Sequence, residues 1–338
     1  VSSLSSDAIE LLATATAFVT SLVAVLIATP FAGRLATLVG ALDDPKRDER
    51  RIHTHPIPRL GGLALFFGIL LGVVLGWAVL LASQKTSQRL SAEIGLPWVG
   101  ILCGAICISV AGAFDDIFGM RPIVKLLAQM ISALVAIAFG VRIAFFKLPF
   151  MDGYTYLSTA QSVILTMLWI VGMVNALNLI DGLDGLAAGV SSIAAITLCI
   201  LTLQRSMPSV ACSLASIAGS CIGFLPYNFN PARIFMGDTG AMLLGYLFAT
   251  FSIAGVVKSA LAIWLLPVTA IVLGYPIADT VFAMLRRMAK LQPIFKADKA
   301  HLHHRLLQHG LSHRQAVLTL YMISIALCIL AYALSRTM

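Results

Sequence analysis

Apolar residues in this chain run on in long unbroken stretches, with the polar residues gathered between them. Ten such stretches lie near 9–29, 60–82, 98–114, 124–140, 163–179, 186–203, 210–226, 241–257, 260–284 and 316–334. Each is close to the roughly 20 residues that a helix needs to cross a bilayer. Backbone N–H and C=O groups inside a bilayer must find partners within their own segment, so these runs predict helices and not isolated strands. The pattern predicts an all-α, polytopic integral membrane protein of about 10–11 transmembrane helices, forming one domain over residues 1–338. Residues 141–162 look like an external excursion, with a short hairpin around Asp152-Gly153. No Lys or Arg precedes the first run, which therefore reads as a retained helix and not as a cleaved signal.

Composition agrees: 59% of residues are hydrophobic and only 11% charged, which excludes an ordinary soluble domain. The six cysteines all fall within apolar runs, where a small, weakly polar side chain packs well, so no disulfide framework is expected. A net charge of +8 would suit nucleic acid, but its distribution argues against such a partner. If the connections are assigned alternately to the two sides, those after runs 1, 3, 5, 7 and 9, taken with Lys125 at the adjoining start of run 4, carry 16 of the 23 Lys and Arg. The positive-inside rule makes that set cytoplasmic and both termini external. The same side holds all seven histidines (His53, His55, His301, His303, His304, His309 and His313). With the adjoining helix ends it also holds Asp115, Asp116, Asp181, Asp184, Asp238 and Asp279. The chemistry is expected on the cytoplasmic face.

Several stretches there carry candidate chemistry. "GAFDDIFGMRP" sets Asp115 and Asp116 at a helix end. Neighbouring helical residues point about 100° apart, so one carboxylate can face a cleft while the other anchors a loop; a solvated turn would look the same. "NALNLIDGLDG" repeats a polar residue every third place (Asn175, Asn178, Asp181 and Asp184), with Gly182 and Gly185 breaking the helix. Amides and carboxylates are hard oxygen donors suited to Mg²⁺ and to phosphate or sugar groups. Interhelix polar glue would account for one Asn but not for the whole set. In "FNPARIFMGDTGAMLLG", Asp238 can hold a cation or cap the helix that follows. "KADKAHLHHRLLQHG" joins His301, His303, His304 and Arg305. Its spacing is not that of a zinc pair; protonatable imidazoles and a guanidinium suit a polyanion better. "THPIPRLGG" adds Arg59 in a rigid, basic turn.

"PIPRLGG", "FDD", "NALNLIDGLDGL", "FMGDTG", "PIADT" and "HLHHR" occur in this order over most of the chain. In that order they resemble the polyprenyl-phosphate N-acetylhexosamine-1-phosphate transferase superfamily. The resemblance implies a reaction between a UDP-N-acetylhexosamine and undecaprenyl or another polyprenyl phosphate, giving polyprenyl-PP-sugar and UMP. It implies Mg²⁺, with Mn²⁺ as a substitute, held by Asp238 and Asp181. Asp115, Asp116, Asp181 and Asp184 would be the catalytic carboxylates, with Asp115 the candidate base. Asn175, Asn178, Arg59, His301, His303, His304 and Arg305 would bind substrate. The peptidoglycan-precursor branch typically has a third histidine where this chain has Arg305, so the resemblance points to the N-acetylglucosamine branch that primes cell-surface glycans. It places the protein in the bacterial cytoplasmic membrane and leaves a homodimer open.

Other classes fit less well. An ion-coupled transporter uses intramembrane carboxylates, but near mid-membrane, where Asp279 alone is a candidate. A CDP-alcohol phosphotransferase needs Ala-Arg after its Asp-Gly, and Gly185 and Leu186 stand there. An intramembrane aspartyl protease would need two facing Asp residues without a His/Arg loop.

Overall fold

Every apolar run folds as a helix or, in one case, as a bent pair of helices. The computed structural model describes residues 5–43, 55–83, 86–87, 95–146, 154–258, 264–289 and 301–336. The long helices are α1 (Ser6–Val39), α2 (Gly61–Leu81), α3 (Leu96–Phe118), α4 (Pro122–Ala138), α5 (Thr159–Ile180), α6 (Leu186–Gln204), α7 (Pro208–Asn228) and α8 (Gly237–Lys258). They are followed by α9 (Leu265–Val272), α10 (Gly274–Ala289), the short α11 (Leu302–Gln308) and α12 (His313–Ser335). Among the described residues, α1, α2, α3, α5, α6, α7 and α12 are long and apolar enough to span a membrane. The α9–α10 pair, bent by 75°, makes an eighth span if taken as one. The 17-residue α4 and the 22-residue α8 occupy the two remaining predicted runs. This is an all-α, multi-pass membrane protein.

Local signals set the helix starts. Proline occupies the first turn of α3, α4 and α7, where a missing N–H costs nothing. Ser158 with Gln161, and Ser312 with Gln315, form reciprocal capping boxes at the starts of α5 and α12. Among the described residues, two short antiparallel ribbons accompany these helices. One pairs β1 (Leu42–Asp43) with β2 (Ile57–Pro58); the other pairs β3 (Phe145–Phe146) with β4 (Thr155–Tyr156). The second ribbon flanks the predicted hairpin, whose tip at Asp152-Gly153 lies outside the described residues, as do His53 and residues 290–300.

The side chains of α8 that lie deepest, from Ala241 to Phe248, are buried among α2, α3, α5 and α9. Around this centre an outer belt of exposed residues, including Ile27, Phe31, Phe67, Leu168, Phe282 and Ile329, suits contact with lipid. Lipid tails give no hydrophobic drive to helix association, so close packing must supply it. The seam between α1, α2 and α7 shows how. Gly68, Gly72 and Gly76 recur every four residues along α2. A Cβ at Gly72 would sit 2.7 Å from the Ala17 carbonyl of α1 and from Ser216 Oγ of α7. Gly72→Leu is therefore expected to cost on the order of 1–3 kcal/mol through overpacking. Thermal unfolding in detergent would read this as a lowered midpoint; an unchanged midpoint would mean that the seam yields without cost.

Candidate active site

Antiparallel packing brings the end of α1, the start of α2, the end of α3, the start of α4, the end of α5 and the start of α8 to one end of the bundle. The two segments richest in glycine meet there. Phe235 N–H donates to the Pro58 carbonyl (2.8 Å), while Gly61 and Gly62 N–H donate to the carbonyls of Phe235 (3.0 Å) and Met236 (2.9 Å). Contact this close leaves no room for side chains. A Cβ at Gly62 would fall 2.1 Å from Gly240 N, and one at Gly237, where φ is +67°, 2.1 Å from the Arg59 carbonyl. "PIPRLGG" and "FMGDTG" thus form one backbone platform.

The adjacent carboxylates of α3 divide their work. Asp116 accepts from Asp238 N–H (2.9 Å), Thr239 N–H (3.0 Å) and the Thr239 hydroxyl (2.6 Å), so it caps α8 from another helix. Arg59 Nε lies 3.6 Å from the same carboxylate. Asp115 accepts from Met120 N–H and pairs with Lys125 Nζ at 2.9 Å. Lys125 also reaches Asp238 Oδ1 at 2.6 Å, bridging α3, α4 and α8. With Asp116 as the cap, the Asp238 carboxylate does not serve as one and faces Lys125 and the open cavity.

At the end of α5 the chain breaks over residues 181–185. Gly185 takes the left-handed conformation (φ +80°), its N–H donates to Asn228 Oδ1 (3.1 Å), and its carbonyl accepts from the Tyr321 hydroxyl. Asp184 accepts from Asn230 Nδ2 and Ala232 N–H, both at 3.0 Å, so it holds the loop after α7. Arg314 of α12 holds the same loop through the Asn230 carbonyl. The side chains of Asn178 and Asp181 have no hydrogen-bond or ion-pair partner among the described residues, and both residues line the cavity. Asn175 stands apart: its Nδ2 donates to Gln129 Oε1 (2.7 Å) and to the Val171 carbonyl (2.8 Å), within the packing of α4 against α5.

The histidine segment is anchored by Asp279 of α10. Asp279 Oδ2 lies 2.8 Å from His301 Nδ1, and Oδ1 accepts from Leu302 N–H at 2.8 Å, starting α11. His303 is buried against Gly182; a Cβ there would lie 2.9 Å from its Nε2. Burial, then the neighbouring His304, pushes the His303 imidazole down to about 3. The ring is neutral at pH 7, so it acts as a donor or acceptor and not as the cation that a polyanion site suggests. His304 lines the cavity; Arg305 is exposed and is not among the lining residues.

The cavity measures about 600 Å³. Asp181, Asp238, Asn178 and Arg59 line it together with His55, His304, His313 and Asn230. Asp115 and Asp116 stand behind its wall. Burial, then the carboxylates of Asp238 and Asp116, pushes the Asp181 carboxyl well above the usual carboxylate range. Burial alone would lower the Arg59 pKa, but Asp116, Asp238 and the other surrounding carboxylates more than reverse that. The site concentrates negative charge. No group of three His, Cys, Asp or Glu residues encloses an ion among the described residues. A pair of carboxylates fits Mg²⁺, which keeps several waters and usually takes one or two protein carboxylates plus substrate phosphates. Lys125, Gln129, Asn228 and Asn230 went unread in the sequence. For Lys125 and Gln129 the signal was there: a cation and an amide inside the apolar run 124–140.

Comparison with known proteins agrees with this geometry. Residues 98–256 match the glycosyl transferase family 4 model, a span that holds Asp115, Asp116, Asp181, Asp184, Asp238 and the 181–185 break. A Bacillus subtilis (strain 168) protein named "probable undecaprenyl-phosphate N-acetylglucosaminyl 1-phosphate transferase" is 40% identical over 318 residues, 94% of this chain and 84% of its own. The decaprenyl-phosphate N-acetylglucosaminephosphotransferase of Mycobacterium tuberculosis (strain H37Rv) is 36% identical over 312 residues, 85% of this chain and 74% of its own. A phospho-N-acetylmuramoyl-pentapeptide-transferase of Caldicellulosiruptor bescii is 31% identical over 310 residues, 86% of each.

Proposed function

This chain belongs to glycosyl transferase family 4, among the polyprenyl-phosphate N-acetylhexosamine-1-phosphate transferases, and on that footing we propose which reaction its cavity performs. It transfers N-acetylglucosamine 1-phosphate from UDP-N-acetylglucosamine to undecaprenyl or another polyprenyl phosphate, priming a cell-surface glycan. One observation carries the proposal. Arg59, Asn178, Asp181, Asp238 and His304, from four separate segments, converge on one cavity at a single end of a membrane bundle.

An oxygen of the lipid phosphate attacks the sugar-bearing phosphorus, the bond to the UMP oxygen breaks, and UMP leaves with that electron pair. Two anions must meet, so positioning and charge neutralisation are the main tasks. Mg²⁺, with Mn²⁺ as substitute, would be held by Asp238 and Asp181 and would offset the charge between the two phosphates. Arg59 and Lys125 supply fixed positive charge beside the cavity. Asn178, whose side chain lines the cavity, donates to a phosphate or sugar oxygen. Asp115 has both oxygens engaged and orients Lys125. A base is not required, because a phosphate monoester with a second pKa of about 6 is already mostly dianionic at pH 7. The site faces the cytoplasm of a bacterial cell, where the nucleotide sugar is made.

The similarity to a muramoyl-pentapeptide transferase supports a second reading, in which the peptidoglycan precursor is the donor. A transporter role is weaker, since Asp279 is engaged with His301 and Leu302. Purified protein should release UMP only when Mg²⁺ and polyprenyl phosphate are both present. Across a panel of UDP-sugars, UDP-N-acetylglucosamine should be fastest and UDP-N-acetylmuramoyl-pentapeptide should be rejected. Faster turnover of the pentapeptide donor would reverse the choice of branch, and UMP release without the lipid would overturn the reaction.

A further inference from the structure

The three-residue spacing of Asn175, Asn178 and Asp181 invites one role for all three, but their surroundings divide them. Asn178 and Asp181 line the cavity, their side chains without a hydrogen-bond partner among the described residues. Asn175, just under a turn deeper than Asn178, faces Gln129 of α4 in a reciprocal pair of amides. Asn175 Nδ2 donates to Gln129 Oε1 at 2.7 Å, and Gln129 Nε2 lies 3.5 Å from Asn175 Oδ1. Gln129 is 1% exposed, and its Nε2 also lies 3.6 Å from Met242 Sδ of α8. The pair sits where α4, α5 and α8 meet.

Gln129 follows Lys125 by four residues, so the two share one face of α4. On that face Lys125 fixes the ends of α3 and α8, and Gln129 fixes α5. A helix can turn about its axis without losing its own hydrogen bonds; side chains locked to a neighbour prevent this. Rotation of α5 by one residue, about 100°, would swing Asn178 and Asp181 away from the cavity. We propose that Gln129 and Asn175 are positioning residues: their amide pair fixes the rotation of α5 so that Asn178 and Asp181 face the substrates. Asn175 itself does not touch substrate. The inference rests on the transferase reading above.

The test separates positioning from contact. Asn175→Leu and Gln129→Met each nearly conserve shape and leave the opposite amide buried without its partner. Loss of one partner costs a full desolvation penalty, whereas replacing both by apolar groups of like shape can be nearly neutral. Each single variant should lower kcat about tenfold, with smaller changes in KM for either substrate. The double variant, Gln129→Met with Asn175→Leu, should recover to within about threefold of wild type and regain the wild-type thermal midpoint. A substrate contact cannot be recovered by changing a residue on another helix. A double variant as slow as Asn175→Leu, or slower, would overturn the proposal, provided that it elutes as folded protein. Wild-type UMP release, measured in parallel, tests the reaction itself; its absence would sink that reading before the variants are compared.

Discussion

Asp238→Asn is expected to lower turnover by at least ~100-fold, the scale on which loss of one key electrostatic group is felt. The variant should still insert, purify and unfold near the wild-type midpoint. The carboxamide keeps the size and one acceptor oxygen of the original side chain, so contact with Lys125 can persist. The start of α8 does not depend on Asp238, because Asp116 takes the N–H groups of residues 238 and 239. What disappears is the negative charge that a divalent cation needs. UMP release and thermal unfolding on the same preparation would separate the two effects. Near-normal turnover would leave Asp238 as a partner of Lys125 and nothing more.

Lys125→Met should be as damaging for turnover and worse for stability. The ammonium lies within 2.9 Å of two carboxylates on different helices, and its side chain is 19% exposed. Removing one partner of a buried charged pair costs about 3–5 kcal/mol, an upper limit here because water still reaches this site. With Lys125 gone, Asp115, Asp116, Asp181 and Asp238 confront each other with Arg59 as the nearby cation. Turnover should fall ~100-fold, again on the scale of a lost electrostatic group, and the thermal midpoint should drop. Lys125→Arg should recover only part of either, since a planar guanidinium does not fill the place of a compact ammonium. Retention of half the wild-type rate by Lys125→Met would remove this lysine from the charge balance of the site.

Much of this was legible in the sequence, for physical reasons. Long apolar runs announce membrane helices because no other backbone arrangement meets its own hydrogen-bond needs there. The division between Asp115 and Asp116 was legible as a rule, since neighbouring helical residues diverge. Which carboxylate took which task was not, because the α8 N-terminus that Asp116 caps lies 122 residues away. That Asn175 pairs with Gln129 while Asn178 and Asp181 line the cavity was not legible from their regular spacing, for a related reason. Periodicity shows which residues share a helix, not which neighbour each one meets. Lys125 and Gln129 were hidden by their setting: two polar residues in an apolar run do not alter its helical reading, although a cation at membrane depth is a functional signal in itself. The neutral state of His303 follows from burial beneath Gly182, which no local pattern encodes.

The brace that α12 places on the 181–185 break bears on how the protein is made. Helices enter the membrane in order of synthesis. A nascent chain that has inserted α1 to α8 already contains Asp116, Asp181 and Asp238. The hydroxyl of Tyr321 on Gly185 and the guanidinium of Arg314 on Asn230 arrive only with the final helix described here. Until then the turn carrying Asp184 and Gly185 has no support from that side, and the histidine segment has not yet docked on Asp279. Without α12 the turn at Asp184 and Gly185 keeps Asn228, Asn230 and Ala232 as its hydrogen-bond partners.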